Sequence, residues 1–369
     1  MKIVIDARFT RTDHHDGISR YGSSLIAATA KIADVTMLVN DERQLALLPD
    51  VPHVMVNSPL SPLELFVARK VNTLGADVVV CPMQTMGTLG RNYALILTLH
   101  DLIYYEHPTP PGFLPAPVRL LWRLYHKAFW PQRVLLNRAD IVATISRTTE
   151  ALMAKYRLTR RPVRIVGNAP QPGQSPRDPV AGADKSLVYM GSFMPYKNVE
   201  TMIRGMAELP DYTLHLLSRI TPQRRAELEV LIPNGAKVEF HNGVTDDEYE
   251  ELLRRATALI SLSKAEGYGL PLVESMALGT PVVASDTPIF REVGADAVTY
   301  VDPESPADFA AAVAALDDSV LWEQRSRRSV ERAAEFNWDE SARQLLAAAE
   351  EAVALHRNKR HSPQPKVEQ

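Results

Sequence analysis

Two glutamates separated by seven residues, in Ala265-Glu-Gly-Tyr-Gly-Leu-Pro-Leu-Val-Glu274, are the side chains in this sequence best suited to chemistry. Carboxylates accept hydrogen bonds and do not donate them, so Glu266 and Glu274 suit a ligand rich in hydroxyls. Between them, Pro271 fits the first position of a helix, where its missing N–H costs nothing. Gly279 fits the position just past the helix end, which puts Glu274 in the first turn. The N–H groups of Gly267, Tyr268, Gly269 and Leu270 would then stand at a helix N-terminus, which carries about half a positive charge and receives anions. A ligand with both hydroxyls and phosphate is a nucleotide sugar. The plainer reading is that both acids simply favour the positive end of a helix. That reading leaves the glycines and Pro271 unused.

The elements that would position these residues are short β-branched runs separated by helical patterns. Strands are predicted at Lys2–Asp6, Asp34–Val39, Val51–Val56, Asp77–Cys81, Ala94–Leu99, Asp140–Thr144 and Val163–Val166. A second set follows at Ser186–Met190, Tyr212–Leu217, Lys237–Phe240, Ala258–Leu262, Pro281–Ala284 and Ala297–Val301. Apolar strands alternating with helices imply parallel sheets covered on both faces. Two such sets imply two doubly wound α/β domains, whose ligands bind at the carboxyl ends of strands. The Pro- and Gly-rich stretch 167–176 reads as the linker, giving domains at 1–168 and 177–338. A helical pattern follows Trp338 to about residue 356, and the polar tail 357–369 is expected to be disordered.

A chain of 369 residues with 46% apolar and 23% charged composition is that of a soluble globular protein of two domains. The net charge of −3 gives no reason to expect nucleic acid. One cysteine, Cys81, excludes an internal disulfide and reads as a buried strand thiol, in keeping with a reducing compartment. The opening Lys2–Asp6 reads as a strand rather than a secretory leader, and no apolar run is long enough for a bilayer, so a cytoplasmic location is expected. The first strand is followed by Arg8-Phe-Thr-Arg-Thr-Asp-His-His-Asp-Gly17 and no Gly-x-Gly-x-x-Gly, against a dinucleotide dehydrogenase.

The glutamate string resembles the Glu-x7-Glu motif of family 4 retaining glycosyltransferases (glycosyl transferases group 1). Further likeness lies in Met1-Lys-Ile-Val-Ile-Asp-Ala-Arg8 with Gly17-Ile-Ser-Arg-Tyr21, Leu99-His-Asp-Leu102, Ala139–Ser146, Tyr189-Met-Gly-Ser192 with Lys197-Asn198, and Asn337-Trp338. The resemblance implies the GT-B fold, two facing Rossmann-like domains with a cleft between them, and a C-terminal helix that returns to the first domain. It assigns Glu274 to the ribose hydroxyls, Glu266 to the transferred sugar, and the backbone at Gly267–Leu270 to sugar and phosphate. Lys197 stands where the family has a lysine that neutralises the departing diphosphate. Ser192 stands where many members carry arginine, and Arg219, past the strand Tyr212–Leu217, is the candidate to replace it. His100 would approach the donor sugar, Gly17 would admit the diphosphate to the backbone, and Gly243-Val244 would line the base pocket. Read without the resemblance, His100 at a strand end is more often a structural histidine than a catalytic one, Gly17 can be a turn or N-cap glycine, and Ser146 an N-cap outside the site.

No Asp-x-Asp ends a strand, and Asp246-Asp247 opens a predicted helix to Arg255, so neither a metal nor another cofactor is expected. The implied reaction transfers a hexose of mannose or glucose type, with retention, from a donor such as GDP-mannose or UDP-glucose to a glycan or lipid-linked acceptor. A nucleotide-sugar 2-epimerase and a non-catalytic nucleotide-sugar-binding subunit are the competing readings. Residues 107–139 lack acidic side chains and interleave Arg119, Arg123, Lys127, Arg133 and Arg138 with Leu120, Leu121, Trp122, Leu124, Tyr125, Phe129 and Trp130. Such a segment either lies on an anionic membrane from the cytoplasmic side or packs its apolar stripe on the first sheet.

Overall fold

The computed structural model of the chain describes residues 1–110 and 115–361. Its backbone forms two compact units, Met1–Asn168 with the segment from Asn337 onward, and Ala169–Phe336. Trp338, which the sequence reading put at the end of the second domain, belongs to the first, where its ring meets Tyr21 at 5.9 Å.

In the first unit a seven-stranded parallel sheet is built from β1 (Lys2–Asp6), β2 (Asp34–Val39), β3 (His53–Met55), β4 (Val78–Cys81), β5 (Ala94–Leu99), β6 (Ile141–Thr144) and β7 (Val163–Ile165), in the order β3-β2-β1-β4-β5-β6-β7. Every residue of β5 is buried, as expected for a strand covered on both faces. Val79, Leu95, Leu97 and Val142 join one core with Val67, Val71 and Met153 from the flanking helices. Cys81 closes β4 fully buried, and burial pushes its thiol pKa up. β1, β2 and β5 begin and end where predicted, and the other strand ends of this sheet differ by at most two residues, most at β3, where Pro52 has no N–H to give to the ladder.

The last helix runs Trp338–His361, longer than predicted, so the tail expected from residue 357 begins as helix; residues 362–369 lie outside the described residues. It is held to the first unit by the buried Ala342, Leu345, Ala349 and Ala352 and by charge pairs. Arg164 takes Glu351 in a fork at 2.6 and 2.7 Å. Lys359 Nζ donates to the buried Asp140 at 2.8 Å, beside Arg91 at 2.8 Å.

The basic apolar segment forms helices Ala116–Tyr125 and Trp130–Leu136. No residue of the first is buried; Leu120, Leu121 and Leu124 are all more than half exposed. Trp122 packs edge-on to Tyr104 at 5.0 Å, and Phe129 stacks between Tyr105 and Tyr156. The aromatic residues thus seat the segment while the leucines face away, which counts against one of the two readings, an apolar stripe packed on the sheet.

The second unit repeats the pattern with six parallel strands, β8 (Asp184–Tyr189), β9 (Thr213–Leu216), β10 (Lys237–Phe240), β11 (Ala256–Ser261), β12 (Val282–Ser285) and β13 (Val298–Val301), ordered β10-β9-β8-β11-β12-β13. In both sheets the order reverses next to the first strand, the Rossmann arrangement.

Candidate active site

The second sheet changes direction between β8 and β11, and ligands of such sheets bind beside that reversal at the carboxyl ends. The two loops that leave this point carry the predicted charges. After β8, Pro195–Lys197 makes one 3-10 turn and Asn198 takes a left-handed conformation, φ 56°, which asparagine tolerates. The Asn198 amide donates to Leu262 O (3.1 Å) and Pro303 O (2.6 Å), and the Lys264 N–H donates to Tyr196 O (2.8 Å). So clamped, the loops set Lys197 Nζ 2.5 Å from Glu266 Oε1, with both side chains 14% exposed. A cation and an anion joined at the mouth of the sheet can each turn to a ligand of opposite sign.

After Glu266, Gly267, Tyr268 and Gly269 lead into the helix Leu270–Ala277. Gly269 sits at φ 94°, and a Cβ there would stand 2.9 Å from the Phe290 ring, so only glycine fits. The N–H groups of Gly267, Gly269 and Leu270 have no acceptor among the described residues, which leaves donors aimed past the helix N-terminus. Pro271 is the second helical residue, not the first, because Leu270 opens the helix. Glu274 is therefore in the second turn rather than the first. It is 6% exposed, and its Oε2 accepts a hydrogen bond from the Tyr249 hydroxyl at 3.2 Å. Gly279 follows the helix at φ 76°, as predicted.

Arg219 is exposed, and its guanidinium has no partner among the described residues. Its stem passes Gly243, whose φ of 106° and closeness (3.0 Å from an added Cβ to Arg219 Cγ) exclude a side chain. Val244 is half-buried just before Thr245, which caps the helix Asp246–Arg255 in a capping box with Glu248. The acids of that helix are explained by its first turn. Ser192 is exposed, and the Gly191 N–H donates to Ser218 Oγ at 3.1 Å, so the loop of Ser192 and the loop of Arg219 are neighbours.

His100 and Gly17 belong to the first unit. His100 Nε2–H donates to Pro82 O at 2.7 Å, which leaves Nδ1 as the acceptor, and its ring meets the edge of Tyr21 at 5.1 Å. Burial lowers its pKa against the opposing effect of the Pro82 carbonyl, so the neutral ring is favoured. Gly17 is the first residue of the helix Gly17–Ala30; the cap is Asp16, which accepts from the Ser19 N–H at 2.9 Å, so Gly17 is not an N-cap. Ser146 caps the helix Arg147–Lys155 through Thr149.

Three comparisons place this arrangement. Residues 174–335 match the family described as glycosyl transferases group 1. The O-antigen chain mannosyltransferase RfbU of Salmonella typhimurium is 25% identical over 320 residues, 80% of this chain and 86% of that protein. The second unit is a glycosyl transferases group 1 domain, and the chain is a glycosyltransferase. Among solved structures, sucrose-phosphate synthase from Thermosynechococcus elongatus aligns with a TM-score of 0.73 at 20% identity, over 96% of this chain and 99% of that one. HepE from Anabaena, in complex with UDP and glucose, aligns with a TM-score of 0.70 at 17% identity, over 95% and 99%. These likenesses show the GT-B fold for both units.

The matched stretch of the glycosyltransferase contains Lys197, Arg219, Val244, Glu266, Gly267–Leu270 and Glu274. Sequence reasoning missed two neighbours. Tyr249 reaches Glu274 from the Asp246–Arg255 helix; its signal was the buried i, i+4 pair Tyr249 and Leu253 on an otherwise charged helix. Ser263, between β11 and Glu266, has a buried hydroxyl with no partner among the described residues, and nothing in its local sequence marks it.

Proposed function

We propose that this glycosyltransferase moves a hexose from a nucleoside-diphosphate donor to a hydroxyl of a glycan or lipid-linked acceptor, with retention and without a metal in the transfer step. The observation that carries the reading is the Lys197–Glu266 pair at the β8/β11 reversal, followed at once by N–H groups at a helix N-terminus that have no acceptor among the described residues. Glu274, bridged to Tyr249, holds the ribose hydroxyls. The N–H groups of Gly267, Gly269 and Leu270 face the phosphates, and Lys197 neutralises the diphosphate as it leaves. Arg219, beside the Ser192 loop and without a partner among the described residues, supplies the second positive charge. Glu266 orients hydroxyls of the transferred sugar, and His100, kept neutral by burial, offers Nδ1 to a sugar hydroxyl. Acceptor deprotonation by the departing diphosphate on the same face of the sugar accounts for retention without an enzyme nucleophile.

Mannose is the favoured sugar, because the relative aligned along most of the chain is a mannosyltransferase. Among the described residues no helix is long and apolar enough to cross a membrane. The exposed leucines of Ala116–Tyr125, flanked by Arg119, Arg123 and Lys127, suit a cytoplasmic protein that rests on an anionic membrane where a lipid-linked acceptor is presented. A thermal-shift panel of GDP, UDP, ADP and their sugars, in EDTA, tests the donor site. One nucleotide at about a hundred times its Kd is expected to stabilise by about 2.7 kcal/mol, a shift of a few degrees that Glu274→Ala abolishes. No shift with any nucleotide, or an undiminished shift in Glu274→Ala, would refute the assignment.

A further inference from the structure

Two histidines and a glutamate, none of them assigned to transfer, meet on the edge of the second sheet. The parallel register of β9 and β10 sets His215 opposite Glu239. His241, one residue past β10, keeps the ladder through its N–H to Leu216 O at 3.0 Å, and so faces the same way as Glu239. Leu214, Leu216, Val238 and Phe240 point to the other face and into the core, so the backbone pattern that buries them also brings the three polar side chains together.

Their donor atoms converge on one point. His215 Nδ1 lies 3.0 Å from His241 Nε2 and 3.3 Å from Glu239 Oε2, and His241 Nε2 lies 3.9 Å from the same oxygen. A triangle with these sides has a circumradius of about 2.0 Å, which is the Zn–N and Zn–O bond length. His215 is mostly buried, with 14% of its side chain exposed, whereas Glu239 is 60% exposed, so one side of the triangle is open to water.

We propose that His215, Glu239 and His241 form a binding site for a borderline transition-metal ion, Zn2+ in the first place. Imidazole nitrogen selects this class over Mg2+ and Ca2+, which take oxygen ligands. The three protein ligands occupy one side of the ion and water completes its coordination. Bound there, the ion ties the edge strand β10 to β9 just before Gly243-Val244, the turn assigned to the donor base. The site is a staple beside the donor pocket and takes no part in bond breaking, so it stands or falls separately from the transfer reaction.

The test is a titration of the tag-free, metal-stripped chain with Co2+ and Zn2+, read by absorption and calorimetry with no substrate present. One Co2+ per chain with a visible d–d band, displaced by stoichiometric Zn2+, is expected, with Zn2+ raising Tm by a few degrees. His215→Asn and His241→Asn should each weaken Zn2+ at least tenfold and abolish the Tm rise; Glu239→Gln should weaken it less. His53→Asn, on an exposed residue of β3, should leave binding unchanged. Circular dichroism and metal-free Tm near wild type in the variants keep a loss of binding distinct from a loss of fold. No Zn2+ binding by the wild type at 100-micromolar metal, on the order of a weak surface site, or binding equal to wild type in the His215→Asn/His241→Asn double variant, would overturn the proposal.

Discussion

Lys197 owes its place to a neighbour that carries no charge. The Asn198 side chain ties its loop to Leu262 and Pro303, and the left-handed turn at Asn198 points Lys197 toward Glu266. The identity of the lysine was readable in the string Tyr189–Asn198, but the pairing was not, since Glu266 lies on a different strand connection. If Lys197 stabilises charge that develops only as the diphosphate departs, Lys197→Ala should lower kcat about a hundredfold, or about 3 kcal/mol, while changing KM little. Lys197→Arg should recover part of that loss. A kcat within about threefold of wild type in Lys197→Ala would remove it from the mechanism. Tyr249 shows the reverse case, a residue whose chemistry appears only once its helix is docked, because its hydroxyl meets Glu274 across the fold.

Among elements, the short helix Ala116–Tyr125 departs most from expectation. Its basic and apolar composition was plain in the sequence, yet composition is the same for a helix packed on a sheet and a helix resting on lipid. What separates them is which side its neighbours occupy: Tyr104 and His126 take Trp122, and Leu120, Leu121 and Leu124 stay open. Sedimentation with anionic vesicles at low salt is therefore expected for the wild type. Leu121→Glu with Leu124→Glu should reduce it at least tenfold without lowering Tm, because neither side chain leaves a packed position. Equal sedimentation of both proteins, or none of either, would refute membrane docking by this helix. The helix Leu270–Ala277, by contrast, was legible to within one residue, since Pro271 and Gly279 bracket it through local backbone constraints.

On the scale of the whole molecule, the chain returns to its first unit through the helix Trp338–His361, and Asp140 anchors that return. Burial alone would raise the Asp140 pKa, but hydrogen bonds from Arg91, Lys359 and the Leu95 N–H outweigh it, and the net shift is downward. A depressed folded-state pKa contributes stability above the unfolded value and loses it as pH falls through the folded one. The first unit should therefore keep the contribution of Asp140 at neutral pH and lose it below about pH 4. Asp140→Ala should cost about 3 kcal/mol at pH 7, because it strands the largely buried Arg91 guanidinium, and the cost should shrink in acid. A Tm deficit that stays constant from pH 7 to pH 3 would contradict the linkage. By itself, the sequence determined the α/β class, the two sets of parallel strands and the glycine-bracketed helix between Glu266 and Gly279, because alternation, proline, glycine and capping act over a few residues. Tertiary structure alone decided that Lys197 pairs with Glu266, that Tyr249 meets Glu274, and that His215, Glu239 and His241 converge. Those contacts join residues from separate strands or strand connections, and only the order and register of the sheet bring such positions together.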